Sequence, residues 1–170
     1  TAVYTQHGID VKCVGHPLAD TIDFEDNKLS SREHLGLSAD DAVVALMPGS
    51  RGGEIKRLAP VFFAAAVESL EYCPKLKFLI PHSSAVNKAK IDALLRKESI
   101  IRGEQFISVE DSQAAISAAD LVVLSSGTAT LEAMLLRRPM IVGYKLAKIT
   151  FAIASRMVKI PYVALPNLLA

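Results

Sequence analysis

The stretch LMPGSRGGEIKR, Leu46 to Arg57, closes the apolar run AVVALMP and opens a helical one. Between the two, Gly49, Ser50, Arg51, Gly52 and Gly53 crowd three glycines, a hydroxyl and a guanidinium into five positions. Such a junction serves either as a turn or as a seat for an anion. Glycine lets the backbone approach a ligand, the following helix N-terminus has unpaired N–H groups, and an arginine can grip two phosphate oxygens at once. An ordinary Pro-Gly turn with a solvated arginine fits the same residues equally well. No Gly-Lys-Ser/Thr follows, so this is not a P-loop, and the glycines do not space as GxGxxG, which disfavours a nicotinamide cofactor.

Outward from this junction, apolar runs alternate with helical periods. Strand-like runs fall at 10–15, 42–48, 75–81, 105–109, 121–125 and 139–145, and helical patterns at about 54–72, 85–98, 112–119, 127–137 and 147–159. The strand runs are continuously aliphatic and β-branched, not alternating, so both faces are expected to be buried. This predicts an α/β fold, a Rossmann-like sandwich with a parallel sheet between helices joined by right-handed crossovers. Residues 1–41 read as a linker with a first short strand and helix, and 42–170 as the sheet domain.

A chain of 170 residues, 51% hydrophobic and 22% charged, can bury a substantial core. With 19 basic and 18 acidic residues its net charge is +1, which gives no reason to expect nucleic acid as a partner. Cys13 and Cys73 fit neither a disulfide framework nor a CxxC site. Cys13 and His16 have metal-like spacing, but no second pair completes a site, so no metal is expected. No apolar run reaches the roughly 20 residues of a membrane span. The chain opens on Thr1 and ends on the apolar run LPNLLA, and it reads as a piece of a longer protein.

In a parallel sheet, ligands sit beyond the carboxyl ends of the strands. A second junction there is SSGTATLEAM, 125–134, which follows LVVL. Ser126 or Thr128 can cap the helix that begins here, and the same hydroxyls and N–H groups can hold a diphosphate. Glu132 lies one helical turn beyond Thr128, so its carboxylate can face the same side and accept from the two hydroxyls of a ribose. Taken alone it would be a solvated helix glutamate. Two such loops on one sheet favour a nucleoside diphosphate.

VGHPLAD (14–20), PGSRGGEI (48–55), SSGTATLEAML (125–135), P-MIVGYK (139–145) and YVALPNLLA (162–170) occur in this order across essentially the whole chain. Together they resemble lipid A disaccharide synthase, an inverting glycosyltransferase family of GT-B architecture from Gram-negative bacteria. The match is to the C-terminal, donor-binding half. The resemblance implies transfer of a sugar from UDP-2,3-diacylglucosamine to 2,3-diacylglucosamine 1-phosphate, giving a β-1,6-linked disaccharide 1-phosphate and UDP, with no cofactor and no metal. It implies that Arg51, with Gly49 and Ser50, stabilises the leaving diphosphate, that Ser126, Gly127 and Thr128 form a phosphate loop, and that Glu132 holds the ribose. Uracil is expected against the backbone from Phe106 to Ser108, around Ile107, as the strand end next along the sheet. Asn167 is implied as a donor or phosphate contact, and His16 and Tyr144 are further candidates. The catalytic base is expected in the absent N-terminal half, so these 170 residues alone should be inactive. A homodimer of the full-length enzyme stays open, as do another UDP-sugar enzyme, such as an epimerase or a peptidoglycan glycosyltransferase, and a non-catalytic nucleotide-binding module.

Six of the nineteen basic residues but none of the eighteen acidic ones follow Glu132: Arg137, Arg138, Lys145, Lys148, Arg156 and Lys159. The basic, apolar segment KITFAIASRMVK fits either a helix buried in the protein or one lying on an anionic membrane. Because both implied substrates are acylated, the expected location is the cytoplasmic face of the inner membrane, held peripherally. Val61, Phe62 and Phe63 fit core packing better than contact with acyl chains.

Overall fold

A computed structural model describes residues 2–12, 14–22, 25–97, 105–145 and 167. Its centre is a five-stranded parallel sheet: β1 (Val43–Met47), β2 (Lys77–Pro81), β3 (Phe106–Val109), β4 (Leu121–Ser125) and β5 (Met140–Gly143), in the spatial order β3-β2-β1-β4-β5. Helices α1 (Ala2–Gln6), α2 (Pro17–Thr21) and α3 (Lys28–His34) precede it. The crossovers are α4 (Gly52–Tyr72), α5 (Ala85–Lys97), α6 (Ser112–Ala118) and α7 (Thr128–Leu135).

The continuous apolar runs fill two cores, one on each face of the sheet. Val43, Ala45, Leu79, Val122 and Leu124 point to one side, where they meet Ala115 and Ile116 of α6 and Ala133 of α7. Leu46, Phe78 and Ile80 point to the other, against Ile55, Ala59, Phe63, Ala66 and Leu70 of α4 and Ile91 of α5. Alternate residues of one strand thus bury on opposite faces, which explains why no polar alternation shows in the sequence. On the α4 side, the Phe78 and Phe106 rings stack with centroids 4.9 Å apart. The α4 helix runs through Pro60, which has no N–H to offer the Lys56 carbonyl; the buried stripe of Leu58, Ala59, Phe62 and Phe63 around it keeps the helix on the sheet.

One expectation needs correcting. The run 10–15 is not a strand: its described residues have no sheet partner, and Val14 is 85% exposed. Its β-forming side chains have no core to bury against, and burial is what makes such a run a strand. The rest of the stretch read as a linker with a short helix holds two helices, α2 and α3, and α3 docks on α6 with Ile22 and Leu37 in the core.

Charged residues fix that docking at the amino ends of the strands. Arg32 is only 3% exposed; its Nε donates to the Ala118 carbonyl at 3.0 Å, its Nη1 to the Ala39 carbonyl and its Nη2 to Asp120 at 2.9 Å. Asp120 also accepts from Lys28 at 2.6 Å and from the Val43 N–H at 2.8 Å. Burial opposes its charge, but the Lys28 hydrogen bond, the Val43 N–H and the Arg32 cation outweigh it, and the Asp120 carboxyl titrates below its usual range. Beside it Lys77 pairs with Asp41 at 2.7 Å, and Arg138 bonds both Asp26 and the Ser117 carbonyl. Arg138, one of the basic residues of the C-terminal stretch, is therefore a tether within the domain. The segment 147–159, with Lys148, Arg156 and Lys159, lies outside the described residues.

Candidate functional site

The strand order reverses between β1 and β4: from β1 the chain winds to β2 and β3, and from β4 it winds the other way to β5. The two loops leaving this pair of strands part there and open a crevice at the carboxyl ends of the sheet. They are the two loops singled out in the sequence.

After β1, Gly49 takes φ 116°, and a Cβ there would lie 2.5 Å from Glu54 Oε2 and 2.8 Å from Glu54 Cβ. Both the torsion and the contact demand glycine at this position. Arg51 is the N-cap of α4, in extended conformation, and its N–H donates to Glu54 Oε2 over a long 3.4 Å. Its guanidinium reaches only to 3.7 Å from Glu54 Oε1 and is 86% exposed. The arginine is anchored by its backbone while its head faces the crevice.

After β4, Gly127 caps α7 with no side-chain hydrogen bond, its φ of 173° being ordinary extended backbone. Gly127, rather than Ser126 or Thr128, occupies the N-cap position. Thr130, fully buried, donates its hydroxyl to the Gly127 carbonyl at 2.6 Å and so secures the turn from inside. Glu132 is half-buried one turn further on, and burial raises its carboxyl above the usual range.

Gly49, Ser50, Arg51, Ser126, Gly127, Thr128 and Glu132 all line one cavity of about 380 Å³. Pro81, His82 and Ser83 from the end of β2, and Glu110 and Ser112 beyond β3, complete its wall. Four of the proposed residues are not in that wall. Ile107 packs its side chain against the core, in register with Leu79. The strand end next to β1 is that of β2, and β3 stands one place further out, so Glu110 and Ser112 rather than Ile107 reach the cavity. His16 caps α2 through Nδ1, which accepts from the Leu18 N–H at 3.2 Å. Tyr144 is 55% exposed beyond β5, and Asn167 is exposed on a helical residue.

Sequence reading missed His82, only 8% exposed in the wall, and Asn87 of α5. The Asn87 amide donates to the Ser50 carbonyl at 2.8 Å and to Ser83 Oγ at 3.0 Å. An asparagine in a polar helical stretch gives no sequence sign of such reach.

A doubly wound parallel sheet with glycine- and hydroxyl-bearing loops at its switch point is a Rossmann-like domain of the kind that forms the C-terminal half of GT-B glycosyltransferases. Two solved structures share the fold. The C-terminal domain of a glycosyl transferase group 1 family protein from Francisella tularensis superposes with a TM-score of 0.51 at 16% identity, over 71% of this chain and 69% of that one. The S. aureus MnaA–UDP co-structure gives 0.50 at 15%, over 87% and 40%. The chain belongs to the lipid-A-disaccharide synthetase family, whose model matches residues 1–170. Lipid-A-disaccharide synthases of Pseudomonas syringae pv. syringae and Pseudomonas entomophila are 48% and 47% identical to it over 98% of its length. The chain spans 43% and 44% of those relatives.

Proposed function

We propose that this chain is the UDP-donor half of an enzyme that joins two acylated glucosamines into the lipid A disaccharide. The observation that carries the reading is that the two loops at the switch point converge on one cavity, with Arg51 at one wall and Glu132 at the other. The donor would be UDP-2,3-diacylglucosamine and the acceptor 2,3-diacylglucosamine 1-phosphate. The 6-hydroxyl of the acceptor attacks the anomeric carbon as the bond from that carbon to the diphosphate oxygen breaks. The configuration inverts, and the hydroxyl proton passes to a base supplied by the other half of the enzyme.

The task of this half is to hold UDP and to stabilise the charge that gathers on it as it leaves. Arg51 meets that charge with two N–H groups, where a metal ion would otherwise be required. Gly127 and the uncapped N–H groups opening α7 face the same cavity and suit the second phosphate. Glu132, without a donor among the described residues, suits the ribose hydroxyls. Burial of Glu132 raises the value of such a contact, since a carboxylate removed from water gains more from each hydrogen bond it accepts.

The acylated substrates suggest an anionic membrane on the cytoplasmic side as the place of work. Among the described residues no helix is long and apolar enough to cross a membrane. Ile141 and Tyr144, each 55% exposed, with exposed Lys145 beside them, fit a peripheral contact. Sedimentation with anionic vesicles at low and high salt tests it; equal binding to neutral and anionic lipid would exclude it.

The direct test of the reaction is to give the full-length protein both acylated sugars and follow UDP and disaccharide 1-phosphate. Formation of both in equal amounts, unaffected by a chelator, is expected. UDP release without disaccharide, or transfer from another UDP-sugar in preference, would overturn the reading.

A further inference from the structure

We propose that Asn87 is a positioning residue for the diphosphate site, acting through the peptide that joins Ser50 to Arg51. This rests on the reading of the cavity given above and extends it to a residue outside the cavity wall.

In a trans peptide the carbonyl of one residue and the N–H of the next point in opposite directions. Asn87 Nδ2 donates to the Ser50 carbonyl at 2.8 Å and holds that edge of the peptide toward α5. The N–H of Arg51, on the opposite edge, is thereby turned toward Glu54 at the cavity wall. Glu54 takes it at 3.4 Å, a length at which little hydrogen-bond energy is engaged, so an anion oxygen can compete for the same N–H. The neighbouring residue, Gly49, is in the positive-φ region, so the chain just before this peptide has torsions that most residues would not hold. A loop entering by way of a glycine needs an external tie to keep one orientation, and Asn87 supplies it.

The tie is well placed to be rigid. Asn87 is 9% exposed, so its hydrogen bonds meet little competition from water. Its second donor goes to Ser83 Oγ at 3.0 Å, and its own N–H is held by Ser84 Oγ at 3.2 Å. One amide thus locks the loop after β1 to the loop after β2, at the wall where Arg51, Ser83 and His82 meet. Without it the Ser50 carbonyl loses its protein partner. The peptide is then free to flip and present an acceptor to the phosphate in place of a donor.

The test replaces Asn87 with Leu, which keeps the side-chain shape and removes both donors, in the full-length protein. Affinities for UDP and for uridine are measured together. The variant is expected to bind UDP about tenfold more weakly, with uridine nearly unchanged, because only the phosphates touch the altered peptide. The donor KM should rise with it. The same substitution made on Arg51→Ala should still weaken UDP binding, since alanine keeps the backbone N–H that Asn87 orients. Should leucine prevent folding, Asn87→Ser, too short to reach both loops, carries the same expectation. An unchanged ratio of UDP to uridine affinity in a folded variant, or an Asn87→Leu effect that vanishes once Arg51 is alanine, would overturn the proposal. Wild-type protein that binds UDP no better than uridine would instead overturn the reading of the cavity itself.

Discussion

At the amino ends of the strands, Asp120 takes hydrogen bonds from Lys28, Arg32 and the Val43 N–H, while at the carboxyl ends Arg51 is 86% exposed and Glu132 is half-buried with no donor among the described residues. Both ends carry cations and carboxylates on the same sheet. The difference is that one end satisfies them internally and the other leaves them for something else. Asp26, Asp41 and Asp120 all titrate below the ordinary range, through Arg138, through Lys77 and through Lys28, the Val43 N–H and Arg32 respectively. Glu132 is shifted upward by burial. The carboxylates that tie the fold together are paired, while Glu132 carries its burial without a partner among the described residues, as a group proposed for a ligand would.

The largest effect is expected at Arg51. Arg51→Ala should lower kcat in the full-length enzyme by about 10²-fold or more, the scale of one lost charge-stabilising donor. Its thermal stability should hardly change, because the side chain makes only a long contact with Glu54. Arg51→Lys should recover only part of the rate, since an ammonium cannot grip two oxygens as a guanidinium does. Near-normal turnover in both variants would make the two ends of the sheet alike.

Asp120→Asn should do the reverse. It strips Arg32, buried and only 3% exposed, of its counter-charge and should destabilise the domain by about 2 kcal/mol, toward the lower end for such a pair because Asp120 is itself 44% exposed. UDP affinity per folded molecule should stay as it was. The folded-state carboxyl lies below its ordinary value, so its contribution is present above roughly pH 4 and fades as pH falls through the folded value. Urea unfolding of wild type and variant should therefore differ at pH 7 and draw together as pH falls below about 4.

Glu132→Gln should move stability least. Its carboxyl is raised, so folding favours the protonated form: the stabilisation is full below roughly pH 4 and is lost as pH rises through the folded value. At pH 7 the glutamine variant should be as stable as wild type or a few tenths of a kcal/mol more so, while wild type gains on it toward pH 4. UDP affinity should nevertheless fall. A clear loss of stability at pH 7 would mean that Glu132 belongs with Asp120 among the structural carboxylates.

The sheet was legible because its strands are apolar on both faces, and β1 through β5 lie within two residues of the runs that announce them, as at Leu121–Ser125. The two cavity loops were legible because glycine and hydroxyl clusters interrupt those runs. What the sequence did not disclose depends on long-range pairing. Run 10–15 has the residues of a strand but no neighbour, and α3 is held by Arg32 reaching 88 positions along the chain to Asp120. Asn87 reaches 37 positions back to Ser50, and the strand order that puts β2 rather than β3 beside β1 leaves Ile107 outside the cavity wall. Local composition carries no record of such partners.

The central claim is that the loops after β1 and β4 build one site for a nucleoside diphosphate. Calorimetric titration of UDP into the full-length protein, beside Arg51→Ala and Glu132→Gln, tests it most directly. The account expects UDP to bind wild type and to bind each single variant about tenfold or more weakly, one change from each loop having the same consequence. UDP binding that both variants retain in full would contradict it.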